Sequence, residues 1–180
     1  MEFVAIDFET TGLSPGRGAR VIEIGAVRVS KGEIADEFSS FVSQEEDQMP
    51  PHITRITGIT SEMLLGAPSP TSAFGQLSDF IRDSDLVAHN ARFDKSFLDS
   101  ELGRVGLSSR NHFHCSLVRS RKVLPNLRKF NLASVAKELL PTLPDNTIAH
   151  RALSDARIAA WIWIELCRRG EKGAGSYARS

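Results

Sequence analysis

The chain is short of cysteine, has no excess of charge of either sign and lacks any long apolar run. Its two cysteines, Cys115 and Cys167, are too few for a disulfide framework and indicate a reducing compartment. Lysine and arginine total 22, as do aspartate and glutamate, so the chain as a whole does not attract polyanions. The apolar run Ile158–Ile164 is far too short to cross a bilayer, and Asp7 interrupts the apolar N-terminus too early for a signal segment. These absences predict a cytoplasmic protein with no membrane partner.

What the chain does contain is ordinary for a globular protein. Hydrophobic residues make up 41% of the 180 residues and charged residues 24%, which is enough for one domain with a sizeable core. The sequence shows no internal repeat. We therefore predict one domain over residues 1–169, followed by a disordered tail over 170–180 that is rich in glycine and serine.

An acidic pair stands at the end of the first predicted strand. The apolar run Phe3–Ile6 leads into Asp7 and Glu9, and the alternation of a strand places both carboxylates on the same face. Two close carboxylates repel each other and raise a pKa unless a cation neutralises them. Hard ions such as Mg²⁺ or Mn²⁺ prefer oxygen ligands of this kind. A strand end that emerges into solvent would carry the same residues, so the pair alone leaves both interpretations open.

Two further strands follow in the first third of the chain. Val21–Val29 and Glu33–Val42 are joined through Lys31 and Gly32, which predicts a hairpin and an antiparallel part of the sheet. Glu23 interrupts the second strand. We favour a hydrogen-bonded structural role for Glu23 over a role in supporting a site, because no acidic residue neighbours it in sequence.

Helical spacing, short apolar runs and capping residues predict the remaining elements. In chain order they are a long connection over 43–72 with one or two short helical turns, a helix over 71–82, a strand at Leu86–Ala88, a helix that buries Phe93, Phe97, Leu98 and Leu102, a strand within His112–Leu117, a basic helix capped by Ser116, a helix over Leu132–Leu139 capped by Asn131, and a last helix from about 150 to 168. The alternation of strand and helix from residue 71 onward argues for parallel crossovers.

Charge is segregated along the chain although its total is zero. No acidic residue lies between Glu101 and Glu138, whereas the stretch 31–101 is acid-rich. The interval contains eight basic residues, namely Arg104, Arg110, Arg119, Arg121, Lys122, Arg128, Lys129 and Lys137. Such segregation favours one face for a polyanion, although solvated helix faces would give the same pattern.

Two more acidic motifs occur at predicted strand ends or helix starts. Asp94 closes the stretch HNARFD, which begins at His89, and Asp155 closes HRALSD, which begins at His150. An acid at a helix start can be only a cap or a partner of the helix dipole. Together with Asp7 and Glu9, however, these motifs supply four carboxylates and a histidine at the kind of position where functional groups gather in α/β sheets.

In this order and context the motifs resemble those of the DnaQ-like, or DEDDh, 3′–5′ exonucleases of the ribonuclease H-like fold. The matching pieces are DFETTGL, HNARFD and HRALSDA, and the resemblance covers residues 2–168. The related subclass with tyrosine in place of the histidine is disfavoured, because the single tyrosine, Tyr177, follows Asp155. One small departure is the pair Cys115 and Ser116, where many relatives carry an acid before a hydroxyl residue.

The resemblance implies an α/β fold in which helices flank a mixed five-stranded sheet. It implies that Asp7, Glu9, Asp94 and Asp155 bind two divalent cations, Mg²⁺ or Mn²⁺, and that His150 is the general base. The implied reaction is the hydrolysis of phosphodiester bonds from the 3′ end of single-stranded or frayed DNA, with release of nucleoside 5′-monophosphates.

By the same resemblance, several residues are expected to contact the substrate. The loop residues Thr10, Thr11 and Leu13 are expected at the terminal nucleotide, and Phe93, Ile56 and Ile59 at its base or sugar. Core packing is an equally good interpretation of Phe93. His89 and Asn90 either contact the substrate or fix the loop that positions Asp94. Charge segregation alone places the upstream strand along Arg121 and Lys122.

Other functions and partners stay open at this point. An exoribonuclease or oligoribonuclease fits the same motifs, because recognition of the 2′-hydroxyl group can depend on one or two contacts. A polymerase-associated module that binds nucleic acid without catalysis is disfavoured by the complete set of acids. Expected partners are single-stranded nucleic acid with a free 3′ end, DNA being favoured, together with a polymerase or a second copy that packs on the apolar last helix. No zinc site is predicted at His112, His114 and Cys115, because no second ligand cluster follows.

Overall fold

A mixed five-stranded sheet forms the centre of the computed structural model, which describes residues 1–44, 49–142 and 150–176. The strands are β1 (Phe3–Thr10), β2 (Val21–Ser30), β3 (Glu33–Phe41), β4 (Leu86–Ala88) and β5 (Phe113–Cys115). Their order across the sheet is β3-β2-β1-β4-β5. The fold class predicted from the sequence is thus confirmed.

The sheet joins an antiparallel part to a parallel part at β1. β1 pairs antiparallel with β2, and β2 with β3, through a tight turn in which Lys31 and Gly32 have φ angles of 54° and 85°. β4 pairs parallel with both β1 and β5. The predicted hairpin and the predicted parallel crossovers are both present. Because β1 and β4 run parallel, their carboxyl ends lie at the same edge of the sheet.

Seven helices accompany the sheet within the described residues: α1 (Pro51–Thr57), α2 (Ser61–Leu64), α3 (Pro70–Ile81), α4 (Ala91–Arg104), α5 (Ser116–Val123), α6 (Leu132–Leu139) and α7 (Ala152–Ser176). Asn131 caps α6 as predicted, because its side chain accepts a hydrogen bond from the backbone of Ser134 at 2.8 Å. Ser116, in contrast, is the first residue of α5 and does not cap it, and Cys115 stands at the cap position.

The last helix is longer than its sequence indicates. We predicted an end near residue 168 and a disordered tail over 170–180, but α7 continues to Ser176. The final four residues, including Tyr177, lie outside the described residues, as do residues 45–48 and 143–149. None of the helices described is both long and apolar enough to cross a membrane.

The apolar core occupies both faces of the sheet. Val4, Ile6 and Phe8 of β1 point to the face covered by α3 and α4, whereas Phe3 and Ala5 point to the face covered by α7. On its other side α7 packs against α6 through a second group, which includes Ile158, Ile162 and Leu166. These two layers account for the apolar circumference of α7, so this feature no longer indicates a subunit contact.

Candidate active site

The acidic pair of β1 faces helix α7. Asp7 and Glu9 continue the alternation of Phe3 and Ala5, whose side chains pack against that helix. The antiparallel register places Asp7 opposite Gly25 and Glu9 opposite Glu23 on β2. Both carboxylates are half-buried at the carboxyl end of the strand. They therefore lie below the beginning of α7.

Gly25 allows α7 to approach the sheet without an intervening side chain. A Cβ atom at this position would lie 2.1 Å from the backbone carbon of Ala152, a distance that no real contact tolerates. The backbone at the start of α7 therefore rests directly on β2, next to Asp7. Asp155, in the first turn of the helix, is thereby brought to the acidic pair.

His150 immediately precedes this helix and completes a compact group. One ligand atom each from Glu9, His150 and Asp155 lies within 4.8 Å of the other two. The backbone N–H of His150 donates to Oδ2 of Asp155 at 3.3 Å. His150 has a φ of 64°, in the left-handed region that non-glycine residues seldom adopt. Its imidazole is exposed, so a solvent molecule can reach it.

Asp94 reaches the same site from the other side of the sheet. It lies in the first turn of α4, which follows β4, and its side chain is buried. Burial raises the pKa of Asp94 to about 8, with a further rise from the charge of Glu9, whereas hydrogen bonds with the backbone of Phe8 and of Asp94 itself act in the opposite direction. The influence of Glu9 and the bond to Phe8 place Asp94 at the end of β1.

The four carboxylates disfavour one another's ionisation. Burial and then the charges of Asp94, Asp155 and Glu9 raise the pKa of Asp7 well above its usual range. Burial and the charge of Asp155 raise the pKa of Glu9 to about 7, against a lowering by Arg151. Burial also raises the pKa of Asp155. A group of hard oxygen donors under such mutual repulsion fits a divalent cation, which would offset the charge of all four.

Glu23 is buried and fully hydrogen-bonded, as its sequence context predicted. Its buried carboxylate accepts two hydrogen bonds from Nε of Arg151, at 3.0 and 3.2 Å, and one from Nη2 at 2.8 Å. It also accepts the backbone N–H of Ala152 at 3.2 Å. Arg151 cannot be singled out from the sequence, because its partner stands 128 positions away and a single sequence holds no signal of that pairing.

The loop after β1 is fixed by its own threonines. The hydroxyl of Thr10 donates to the carbonyl of Gly12 at 2.7 Å, and that of Thr11 accepts the backbone N–H of Arg20 at 2.9 Å. Leu13 is 89% exposed at the tip of the loop. The structure thus gives Thr10 and Thr11 a part in holding the loop and leaves the Leu13 side chain open to a ligand.

The two isoleucines predicted at the substrate differ in position. Ile56 is 55% exposed on α1, but Ile59 is 0% exposed and packs with Ile22, Ile53 and Leu64. The helix ends at Thr57, and Gly58, which follows it with a φ of 71°, turns the chain inward. A wholly buried side chain does not meet a nucleotide, so the prediction for Ile59 is wrong and Ile56 is the residue that this segment exposes.

His89 and Asn90 adopt the second of their two predicted roles. The ring of His89 bonds Ser116 Oγ through Nδ1 at 2.9 Å and the carbonyl of Phe130 through Nε2 at 2.8 Å, so both nitrogens are engaged within the chain. Burial lowers the pKa of His89, which favours the neutral ring. Asn90, exposed and with a φ of 74°, begins α4 and so sets the start of the helix that carries Asp94.

The remaining predicted contacts are on the surface or at its edge. Phe93 is half-buried, with its ring 4.8 Å from that of Phe97, and so combines core packing with partial access. Arg121 and Lys122 are exposed in the last turn of α5. Arg119, in contrast, lies over the ring of Trp163 at 5.1 Å and belongs to the packing of α5 on α7.

The family of the chain follows from comparison with known proteins. The model of the RNase T exonuclease family matches residues 4–162. The chain belongs to this exonuclease family. The match includes all four carboxylates and His150, and it confirms the resemblance drawn from the three motifs.

Relatives of this exonuclease include much longer proteins. It is 38% identical over 161 residues to the PolC-type DNA polymerase III of Clostridium perfringens. The aligned residues make up 89% of this chain and 11% of that protein. The PolC-type DNA polymerase III of Thermotoga maritima is 37% identical over 171 residues, or 94% of this chain and 12% of that protein. The exonuclease thus spans little more than a tenth of these relatives.

Solved structures share its fold over nearly the whole chain. Exonuclease X in complex with 5′ overhanging duplex DNA has a TM-score of 0.72 at 26% identity and covers 92% of this chain and 91% of that one. E. coli Exonuclease I in complex with a dT13 oligonucleotide has a TM-score of 0.81 at 17% identity, over 97% of this chain and 43% of that one.

Proposed function

We propose that this exonuclease removes nucleotides one at a time from the 3′ end of single-stranded or frayed DNA. Asp7, Glu9, Asp94 and Asp155 hold two divalent cations, Mg²⁺ or Mn²⁺, and His150 is the general base. The observation that carries the proposal is the convergence of four mutually repelling carboxylates with an exposed imidazole beside two of them. The products are nucleoside 5′-monophosphates.

The carboxylates and the histidine have separate tasks. Two divalent cations, when bound, supply charge that offsets the negative charge developing on the phosphate and lower the pKa of water. Half-buried Asp7 and buried Asp94 supply oxygen donors from the two sides of the sheet. Glu9 and Asp155 supply donors next to His150.

His150 accepts the proton of the attacking water. Imidazole is the usual side chain for such a proton transfer, and the exposure of His150 lets the proton pass on to solvent. An oxygen of Asp155 lies within 4.8 Å of a ring nitrogen of His150, so this carboxylate stabilises the imidazolium that results. The same carboxylate also holds the backbone of His150 by accepting its N–H.

Comparison with relatives supports DNA as the substrate. The PolC-type relatives are DNA polymerases, and the Exonuclease X structure contains a DNA duplex with an overhang. Exposed Leu13 and Ile56, together with the accessible part of Phe93, contact the terminal nucleotide in this proposal. Thr10, Thr11 and Asn90 hold the backbone around it. Apolar and aromatic contacts of this kind accept any base. Arg121 and Lys122 attract the upstream phosphates.

The same relatives support a setting in DNA synthesis. The chain is similar to a segment that makes up about a tenth of PolC-type DNA polymerases. In this proposal it therefore acts with a DNA polymerase, and it corrects or trims primer ends in the cytoplasm.

Product analysis tests the proposed function. Single-stranded DNA and RNA oligonucleotides of the same sequence, labelled at the 5′ end, are incubated with Mg²⁺ or Mn²⁺ and with wild type, Asp7→Ala, His150→Ala or the surface control Glu37→Gln. We expect DNA ladders shortened from the 3′ end, release of 5′-monophosphates, and loss of activity with chelator or with either site variant. Full activity of Asp7→Ala would contradict the proposal. If RNA is cleaved faster than DNA of the same sequence, the substrate is RNA and not DNA.

A further inference from the structure

The side chain of Arg151 is fixed by several contacts, unlike an arginine that only extends into solvent. Its guanidinium makes three hydrogen bonds of 2.8 to 3.2 Å with the buried carboxylate of Glu23. The same guanidinium lies over the ring of Phe41 at 5.5 Å. Glu23 and Phe41 are direct neighbours on β2 and β3, so together they form a fixed seat for this one side chain at the end of the sheet.

The carboxylate that holds Arg151 also holds the backbone that follows it. Oε2 of Glu23 accepts the N–H of Ala152 at 3.2 Å, while Oε1 accepts Nη2 of Arg151. Arg151 in turn begins the helix, because its carbonyl accepts the N–H of Asp155 at 3.0 Å. A single buried side chain of β2 thus fixes both residues that follow His150.

His150 needs such a constraint. A non-glycine residue with a φ of 64° costs free energy, and this conformation persists only where the surroundings impose it. One constraint is the bond from the N–H of His150 to Asp155, at 3.3 Å. The second is the anchoring of Arg151 and Ala152 to Glu23, because it fixes the chain directly after the strained residue.

We propose that Glu23 and Arg151 form a positioning pair that holds His150 in its left-handed conformation beside Glu9 and Asp155. The pair does not touch the substrate and acts only through His150. This inference rests on the proposed function, in which His150 is the general base. It goes further in assigning the placement of that base to an ion pair outside the acidic cluster.

Arg151→Lys distinguishes positioning from simple charge balance. Lysine keeps the positive charge but loses the fork of hydrogen bonds and the flat group that covers Phe41. We expect kcat on a DNA oligonucleotide to fall roughly tenfold or more, with KM within about twofold, because displacement of a general base slows the chemical step and leaves binding unchanged. Glu23→Gln, which keeps an acceptor for Ala152, serves as the second variant and is expected to act in the same direction.

Arg157→Lys is the matched control. Arg157 lies on the same helix and also makes a two-pronged pair with a glutamate of the sheet, Glu37 of β3, but on the surface and away from His150. We expect wild-type kcat from this variant. Wild-type kcat from Arg151→Lys would show that charge alone suffices and would overturn the inference.

A double-mutant cycle separates this role from general stability. In a His150→Ala background, a pair that acts through His150 has nothing left to position, so adding Arg151→Lys should not lower the residual rate further. An equal fractional loss in both backgrounds would mean that the pair serves the fold as a whole, and would overturn the inference.

Amide hydrogen exchange tests the pair without any assay of activity. In metal-free protein, Arg151→Lys should speed exchange at His150 and Ala152 by about tenfold, while amides of β1 and β2 exchange as in wild type. Unchanged exchange at both amides would overturn the inference even if the enzyme is active. If wild type proves not to depend on His150, faster exchange would still support the placement of His150 by the pair, and only the proposed function would fail.

Discussion

Two groups of carboxylates in this protein, each buried or half-buried, differ in their partners. Glu23 and Glu101 each have a bidentate arginine and a backbone N–H: Glu101 accepts Nε and Nη2 of Arg20 at 2.8 and 3.0 Å and the N–H of Val21 at 3.3 Å. The acidic cluster consists of Asp7, Glu9, Asp94 and Asp155. Within the described part of the chain, no lysine or arginine forms an ion pair with any of its members.

The difference supports the proposed cation-binding role of the acidic cluster, a role that it does not extend to Glu23 or Glu101. A buried carboxylate is tolerated when a cation of the protein compensates it, as at Glu23 and Glu101. Where several carboxylates are brought together without such a partner, the fold is less stable than it would be with neutral residues. Such a loss of stability is typical of functional sites. In the acidic cluster the pKa values are raised, as expected of carboxylates that hold an external cation in the proposed function.

The largest effect that separates the two groups is expected at Asp7. Asp7→Asn should lower kcat by about a thousandfold, which corresponds to the several kcal/mol that bound cations contribute to the transition state. Thermal unfolding of the metal-free variant should occur at or above the wild-type temperature, because one repelling charge is gone. A clear loss of stability would place Asp7 with Glu23 and Glu101 and would undo the comparison.

Arg20→Ala should have the converse result, a loss of stability. It removes the main partner of buried Glu101 and should lower the free energy of unfolding by about 3 kcal/mol. We take the lower end of the range because Arg20 is 26% exposed and Arg104 lies 3.7 Å from the same carboxylate. Urea denaturation measures the change, and Arg157→Ala, which breaks a surface pair, should cost less than about 1 kcal/mol. Equal losses in the two variants would mean that burial does not matter here.

The sequence predicts the members of the acidic cluster but not the arginine pairs. Strand alternation places Asp7 and Glu9 on one face, and the motifs around Asp94 and Asp155 lie where strands end and helices begin. Such local patterns need no knowledge of distant residues. The pairing of Glu101 with Arg20 spans 81 positions, and no local pattern encodes it.

Burial inside irregular segments is likewise hard to predict. Ile56 and Ile59 stand three residues apart in a segment without regular periodicity, yet one is exposed and the other wholly buried. The turn at Gly58 decides which side chain enters the core, and it depends on the contact of α1 with Ile22 on β2. The extension of α7 to Ser176 was not predicted either, because composition alone favoured disorder after Gly170.

A cation should stabilise the protein through the acidic cluster alone. At Mg²⁺ or Mn²⁺ a hundred times above the dissociation constant, a ligand that binds only the folded state adds about 2.7 kcal/mol to the free energy of unfolding. We therefore expect the melting temperature to rise with Mn²⁺, and this rise to be lost in Asp155→Asn. The variant Glu37→Gln, at a surface acid, should keep the full shift. A shift that survives in Asp155→Asn would mean that the cation binds elsewhere.

The smallest effect is expected at Glu9, in the pH dependence of metal-free protein. Burial and Asp155 raise the pKa of Glu9 from 4.5 to about 7, so the folded state binds its proton more tightly than the unfolded state does. The resulting stability is complete below pH 4.5 and is lost as the pH rises through about 7. Glu9→Gln should flatten the decline of the melting temperature over this range, although only partly, because Asp94 and Asp7 also titrate with raised pKa values.

Glu37 supplies a control of opposite sign for this pH measurement. Its hydrogen bonds with Arg157 lower the pKa of Glu37, so its contribution to stability is present at neutral pH and is lost as the pH falls through the folded-state pKa. Above pH 4.5, Glu37→Gln should therefore lower the melting temperature by a constant amount, and this difference from wild type should disappear as the pH falls through the folded-state pKa of Glu37. The decline between pH 4.5 and 7 should stay intact. The two variants could instead show the same dependence of the melting temperature on pH. A carboxylate of the acidic cluster and a carboxylate with an arginine partner would then be electrostatically alike, and the distinction between the two groups would not hold.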